Sequence, residues 1–441
     1  MAEAGSRMEK GLDCGELDCR WDNGSGMPLG IYISVPFCRT KCSYCNFASD
    51  VFSRAVFERY VDRVCADIGN APQVAAEMGG QIERAVDSIY LGGGTPTVLE
   101  ARQLERIFPA VRSQFEVEPD AEVTVECAPG TLTPAVIDSL LRCGVNRVSL
   151  GVQSFVDQEA AAVGRLHTRA VVLEDVVRLR AAGITNINID LIAGLPHQTA
   201  ASWEFSLAET IATGTSHVSV YMLEVDEDSR LGRELLAGGT RYHAHFVPDE
   251  KAVTDFYLEA CARLASASIA QYEISNFARE GFESRHNLKY WTRQPYFGFG
   301  VDAHSMLTVV PEGHDLSGAG GENKIERGGG RCDIEAVRFA SAGSLEKYTG
   351  GAALQRTSVS RREAMEECFF LGLRLTRGIR LQELAEKFGE DAVQNARSSI
   401  TQLVEDGLME HRGHRVCLTS RGQLLSNEVF ERFVLVDEIV R

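Results

Sequence analysis

No apolar run in this 441-residue chain approaches the roughly 18 residues that a membrane-spanning helix needs. Basic residues are in deficit: 45 Lys and Arg stand against 62 Asp and Glu, a formal charge of −17. Such a surface does not attract the phosphates of nucleic acid. Residues 1–27 lack the apolar core of a secretory signal, and their acids (Asp13, Glu16, Asp18, Asp22) are foreign to a transit peptide. Compositional bias is missing too. With 44% hydrophobic and 24% charged residues, the chain is neither disordered nor collagen-like. These absences predict a cytoplasmic protein that is not integral to a membrane, has no nucleic-acid partner, and carries a disordered N-terminal tail over 1–27.

What is present reads as α/β. The β-branched runs Ile31–Val35, Val86–Leu91, Val123–Val125, Arg147–Val152, Ile187–Ile192 and His217–Leu223 alternate with helical periods. Between the first two, Val56, Tyr60, Val61, Val64 and Ile68 recur at the spacing that buries one helix face. Six strands alternating with helices imply parallel βαβ units with right-handed crossovers. The expected fold over 28–225 is a partial (β/α)6 TIM-like barrel; an open doubly wound sheet competes, because strand count does not separate the two.

Residues 226–350 read as an α+β extension, with a helix around Asp249–Ala265 and an aromatic-rich stretch through Phe299. Within it, 311–330 is glycine-rich without an apolar period, as a surface insertion would be. Residues 351–441 are expected to form a C-terminal helical, winged-helix-like domain. Its helices are expected at Met365–Leu375, Leu381–Phe388 and Ala392–Leu408, with a hairpin at His411–Leu418. Arg374, Arg377 and Arg380 there are offset by Glu363, Glu366, Glu367, Glu383 and Glu386, which favours packing or partner contact over DNA binding.

Of 12 cysteines, nine are scattered singly, as small buried hydrophobes are. The lack of a secretory signal points to a reducing compartment. Cys38, Cys42 and Cys45 instead form C-x3-C-x2-C directly after the first strand run, where three thiolates can converge on one inorganic centre. Zinc sites usually show two paired halves, and no second half is present; zinc with a distant fourth ligand, or three unrelated thiols, remain the alternatives. Iron–sulfur clusters normally take four thiolates, so three leave one iron open to another ligand. Polar candidates stand at or near the carboxyl ends of the following runs: Gly92-Gly93-Gly94-Thr95-Pro96, then Glu126, Gln153 and Asp190. In α/β barrels that end builds the active site, and consecutive glycines expose backbone N–H groups to a ligand.

The cysteine loop and the Gly-Gly-Gly-Thr-Pro segment resemble the radical S-adenosylmethionine superfamily. The resemblance implies a radical SAM core barrel with a [4Fe–4S] cluster on Cys38, Cys42 and Cys45. The methionine amino and carboxylate groups of S-adenosylmethionine would chelate the fourth iron, and one-electron cleavage of the sulfonium would give a 5′-deoxyadenosyl radical. Tyr32–Cys38, Leu150–Phe155, Gly164–Thr168, Asn188–Ile192 with Gly194-Leu195-Pro196, and Tyr272–Ala278 resemble one branch. It contains the oxygen-independent coproporphyrinogen III dehydrogenase and the HemW haem chaperones. By motif position, Tyr32, Tyr44, Gly93, Gly94, Thr95, Glu126, Gln153, Arg165 and Asp190 are expected to contact S-adenosylmethionine, with Arg165 suited to its carboxylate.

The two relatives differ beside the cluster. The dehydrogenase pattern resembles C-x3-C-x2-C-x-C, whereas the last position here is Phe47, an aromatic as in HemW proteins. His286-Asn287-Leu288-Lys289-Tyr290-Trp291 resembles their H-N-x-x-Y-W motif, in which the histidine is implicated in haem binding. Histidine is a competent axial ligand and Tyr290 and Trp291 suit a porphyrin face; a histidine hydrogen-bonded in a packed turn is the competing explanation. Phe297–Ser305 resembles the family's G-x-G-x-x-A-H-S segment, with Asp302 where a small residue is usual. The resemblance therefore implies a HemW-type chaperone that binds haem, a [4Fe–4S] cluster and S-adenosylmethionine and delivers haem to respiratory haem-acceptor proteins, with cluster and nucleotide supporting either pairing into a homodimer or transfer. Coproporphyrinogen III dehydrogenase activity is the alternative, and a zinc-dependent interaction protein the third reading. Arg39 and Lys41, inside the loop, are expected to favour a reduced cluster and to attract an acidic, flavodoxin-type electron donor. Anaerobically reconstituted protein should be brown and contain iron and sulfide; a colourless, zinc-only preparation would remove the cluster.

Overall fold

The computed structural model describes residues 26–309 and 333–434. The insertion expected at 311–330 and nearly all of the tail expected over 1–27 lie outside the described residues. The barrel strands are β1 (Leu29–Val35), β2 (Ala85–Gly93), β3 (Glu116–Cys127), β4 (Arg147–Gln153), β5 (Asn186–Ala193) and β6 (His217–Met222). Each pairs in parallel with the next. A doubly wound sheet reverses its order part-way; this one grows in a single direction, so the barrel arrangement holds and the competing shape falls.

The barrel does not close on itself. Six more strands, β7 (Ala270–Gln271), β8 (Asn276–Ala278), β9 (Tyr296–Gly300), β10 (His304–Thr308), β11 (Ile334–Ala340) and β12 (Gln355–Ser360), extend both edges. The sheet runs β12-β11-β10-β9-β1-β2-β3-β4-β5-β6-β8-β7. β9 lies parallel beside β1, and β8 pairs antiparallel with β6. Sequence periodicity passed over β9 because Tyr-Phe-Gly-Phe-Gly looks like a loop. Its glycines are there for approach: a Cβ at Gly298 would collide with the carbonyl of His304 on β10.

Alternation divides every barrel strand into two faces. Ile31, Ile33, Val35, Ile89, Leu91, Ile187, Ile189 and Val218 join the apolar core. The residues between them, including Tyr32, Tyr90, Glu126, Arg147, Asp190 and His217, share the inner face. The helix Phe57–Gly69 buries Phe57, Tyr60, Val61, Val64 and Ile68, the stripe read from the sequence except that Val56 falls in the preceding single turn. Among the described residues no helix is long and apolar enough to cross a membrane.

At the C-terminus, helices Arg361–Gly372, Leu381–Phe388 and Glu390–Glu405 lead into the hairpin β13 (Met409–Arg412) and β14 (Arg415–Leu418), a winged-helix-like arrangement. The first helix starts at Arg361, not Met365, because Ser360 and Glu363 cap it reciprocally. The apolar cluster of this region takes in Ile274, Met306 and Ala336 from the barrel side. A buried ion pair crosses the same boundary: Arg293 Nε lies 2.6 Å from Glu367, which also meets Arg338 at 2.8 Å. Removing one partner of a buried pair strands the other charge, at a cost of about 3–5 kcal/mol. Glu367→Ala should therefore lower the urea midpoint clearly; an unchanged midpoint would show that the boundary holds without the pair.

Candidate functional site

The cysteine loop leaves β1 and is closed at its neck. Cys38 N–H donates to Asp50 O (3.0 Å), and Asp50 N–H donates to Pro36 O (2.9 Å). Inside it, Lys41 Nζ donates to the carbonyls of Phe47 (2.6 Å) and Ser49 (2.7 Å), so this ammonium staples the loop. Arg39 remains exposed and donates to Gly130 O (3.2 Å). Thr40 Oγ1 donates to Gly164 O (2.9 Å), which ties the loop to the segment carrying Arg165. Cys38, Cys42 and Cys45 are free thiols, with Cys42 buried and the others half-buried. Burial pushes the Cys38 thiol up; hydrogen bonds from Ser49 and Thr95 oppose this, and the nearby Cys45 and Cys42 add to it. Among the described residues no three His, Cys, Asp or Glu side chains close on a point for a single metal ion. Thiolates of a four-iron cluster bind separate irons, so three free thiols in one loop need not close on a single point to hold one. Gly94 lets the loop approach closely: a Cβ there would lie 2.8 Å from Phe37 O and 3.1 Å from Cys38 Sγ.

Most of the remaining expected contacts stand at or near the carboxyl ends of the barrel strands, beside the loop. Gly93, at φ 100°, adopts the left-handed backbone that glycine allows, and its N–H donates to Glu126 Oε2 (3.1 Å). Tyr90 OH donates to the other oxygen of Glu126 (2.8 Å). Asp190, on β5, accepts from Asn188 Nδ2 (2.7 Å) and Ser149 Oγ (3.1 Å). Burial, followed by the negative charge of Asp190, raises Glu126 to about 7 despite the bonds from Tyr90 and Gly93. Burial raises Asp190 as well. Arg165 lies against β4, where a Cβ at Gly151 would be 2.5 Å from its guanidinium. Burial opposes its charge, but Tyr44, Cys42, Asp190 and Cys38 around it hold its pKa up. Its Nε is buried without a hydrogen-bond partner. Gln153 takes a left-handed φ of 69°, a strained conformation for a non-glycine residue that is common at functional sites. Tyr44 packs on Val163, Ile192 and Leu195. Arg165, the two carboxyls and the Cβ-free glycine run fit the carboxylate, ammonium and hydroxyl groups of S-adenosylmethionine. Bound here, a cluster and nucleotide would supply one-electron chemistry, and the residues named would hold and orient them.

Beside the loop is a cavity of about 280 Å³ lined by Tyr32, Ser34, Phe47, Ala48, Gly93, Tyr290, Tyr296, Asp302 and His304. His286 is not in its wall. The helix Arg285–Trp291 lies against the amino halves of the strands, and its first backbone N–H groups donate to Glu122. His286 is 1% exposed. Its Nδ1 is 3.1 Å from Ser88 Oγ and its Nε2 is 2.9 Å from Tyr290 OH. Burial drives its pKa down to about 3, so the ring is neutral. Trp291 turns to the C-terminal region, where the Arg374 guanidinium sits 4.4 Å from its ring centroid. Sequence reasoning missed Arg147, a fully buried cation whose charge acts on Glu126, Asp190, His217 and His286. An arginine opening a buried parallel strand was the available signal.

The radical SAM superfamily model matches residues 32–208, and the HemN C-terminal domain model matches residues 359–425. The haem chaperone HemW of Lactococcus lactis is 31% identical over 414 residues, which is 93% of this chain and 98% of the relative. That of Bacillus subtilis is 33% identical over 404 residues, 91% and 98%. This chain belongs to the HemW family. A bovine mitochondrial protein, radical S-adenosyl methionine domain-containing protein 1, is 30% identical over 396 residues, 87% and 83%. The Escherichia coli coproporphyrinogen III oxidase, a radical SAM enzyme, has the same fold. Its TM-score is 0.74 at 23% identity, over 92% of this chain and 90% of that one.

Two outcomes are expected of this HemW-family chain. Gly94→Ala should cut the iron content after reconstitution severely while leaving the circular dichroism spectrum intact; full iron loading would show that the Cβ is tolerated. Folded Glu126 keeps its proton up to about pH 7, whereas the unfolded chain releases it near 4.5. Stability of the cofactor-free protein should therefore fall as pH rises through that window and level off above it, with Asp190 adding a slope of the same sign. Glu126→Gln should flatten much of the slope in urea midpoints. An identical slope would assign it to other groups.

Proposed function

We propose that the protein is a haem chaperone. It carries a [4Fe–4S] cluster on Cys38, Cys42 and Cys45. It holds S-adenosylmethionine against Tyr32, Tyr44, Gly93, Gly94, Thr95, Glu126, Gln153, Arg165 and Asp190. Haem enters the aromatic cavity beside the cysteine loop and passes to haem-requiring respiratory proteins, with cluster and nucleotide supporting transfer or the pairing of two copies.

The observation that carries this reading is Phe47. It stands two residues after the last cluster cysteine, is 65% exposed, and lines the cavity together with Tyr32, Tyr290 and Tyr296. A phenyl ring has no acid–base or redox chemistry to contribute at a substrate. It does offer a flat apolar face to a porphyrin, and an exposed one is more useful to a ligand than to a core. At about 280 Å³ the cavity is slightly below the roughly 300–1,000 Å³ of sites that enclose a drug-sized ligand. A haem would be covered in part and stay within reach of an acceptor, which suits a carrier. The HemW names of the two bacterial relatives support the same reading.

The test is an anaerobic titration of the reconstituted chain with haem, followed optically with and without S-adenosylmethionine. Saturable haem uptake is expected, weakened roughly tenfold (about 1.4 kcal/mol) by Phe47→Ser, with no consumption of coproporphyrinogen III under reducing conditions. Turnover of coproporphyrinogen III without haem uptake would overturn the proposal in favour of the dehydrogenase.

A further inference from the structure

We infer that His304, and not His286, supplies the iron ligand when haem occupies the cavity beside the cysteine loop. The inference rests on the haem-chaperone reading and assigns a residue within it. Haem iron needs a ligand atom that faces the porphyrin and is not already committed. His286 meets neither condition. Both of its ring nitrogens have partners, Ser88 and Tyr290. Its ring also lies behind Tyr32 and Tyr90, at centroid distances of 6.3 and 5.4 Å. Ligation through His286 would require breaking one of those contacts and opening this aromatic layer.

His304 meets both conditions. It is exposed, lines the cavity, and its imidazole makes no hydrogen bond to another described residue. Its backbone is held firmly all the same. It begins β10, packed so closely against Gly298 that β9 tolerates no Cβ there. The turn before it is pinned from the far side: Ala303 N–H donates to Ser341 Oγ (3.0 Å), and Asp302 N–H donates to Ala342 O (3.0 Å). That turn holds Asp302 at a left-handed φ of 56°, the kind of strain that persists where surrounding structure imposes it. The backbone is thus fixed, and no described residue occupies the imidazole nitrogens, so iron could take one of them without displacing a partner.

The other groups in the cavity wall are weaker candidates. Burial pushes the phenols of Tyr32, Tyr290 and Tyr296 up, so they stay neutral, whereas a tyrosine ligates haem iron as its phenolate. His286 keeps a role at one remove. Its Nε2 fixes the Tyr290 hydroxyl, and Tyr290 lines the cavity. It is a positioning residue.

The experiment uses the full-length reconstituted chain, titrated with haem and read by absorption and resonance Raman spectra, with iron and sulfide content as the control for an intact cluster. The wild type should give an imidazole-ligated haem spectrum. His304→Ala and His304→Gln should lose that signature and bind haem at least about tenfold more weakly, and added imidazole should restore the spectrum. His286→Asn should retain the imidazole signature with a smaller loss of affinity. An unchanged imidazole-ligated spectrum in both His304 variants would overturn the assignment, as would its loss in His286→Asn with the cluster intact. Wild-type protein that takes up no haem would instead bring down the chaperone reading itself, an outcome distinct from haem bound without His304.

Discussion

The site depends on the two-residue alternation of six parallel strands. One face of each strand is committed to the apolar core, so the other must carry whatever fills the barrel. Here that filling is polar and charged: Arg147, Glu126, Asp190, His217 and their hydrogen-bond partners. A charge taken from water into such a place costs several kcal/mol unless it is paired and bonded. Arg147 lowers the cost of both carboxyls, and Tyr90, Gly93, Asn188 and Ser149 provide hydrogen bonds to them. Burial still prevails over these bonds and raises both carboxyls, and a cationic ligand beside them would favour their charged forms. A sulfonium nucleotide bearing an ammonium group would be such a ligand.

The cysteine loop works on the same foundation. Its neck is sewn to β1, its interior is stapled by Lys41, and its far side is tied to the Arg165 segment by Thr40. The Arg165 guanidinium then acts on the thiols on one side and Asp190 on the other. One cation thus links the cysteine loop to the carboxyl half of β5. Glycine at 94 and 151 is needed because these charged and sulfur-bearing groups approach the backbone more closely than a Cβ permits. The cavity is a consequence of the open edge: because β9 takes the place beside β1 that a closing strand would have, Tyr296, Asp302 and His304 come to stand next to Phe47 and Tyr32.

Much of this was legible in the sequence. Motif spacing singled out the cysteines, and strand-end position singled out Gly93, Glu126, Gln153 and Asp190, which stand at or near the carboxyl ends of β2 to β5. The C-terminal helices and hairpin were read to within a few residues, their starts shifted by caps such as that of Ser360. One strand was misread, and one burial was not foreseen. β9 was hidden because glycines required by a close backbone approach look like loop punctuation. His286 was weighed as an iron ligand because its motif is local, while Ser88, Glu122 and Tyr90, which bury it, are far away in the chain.

By itself, the sequence determined the parallel α/β barrel, the three-thiol loop and the family, because periodicity and motif spacing are properties of neighbouring residues. Only the tertiary structure decided that His286 is enclosed while His304 is exposed, and where an aromatic cavity opens. Those facts are set by contacts between residues brought together from opposite ends of the chain, and no local pattern records them.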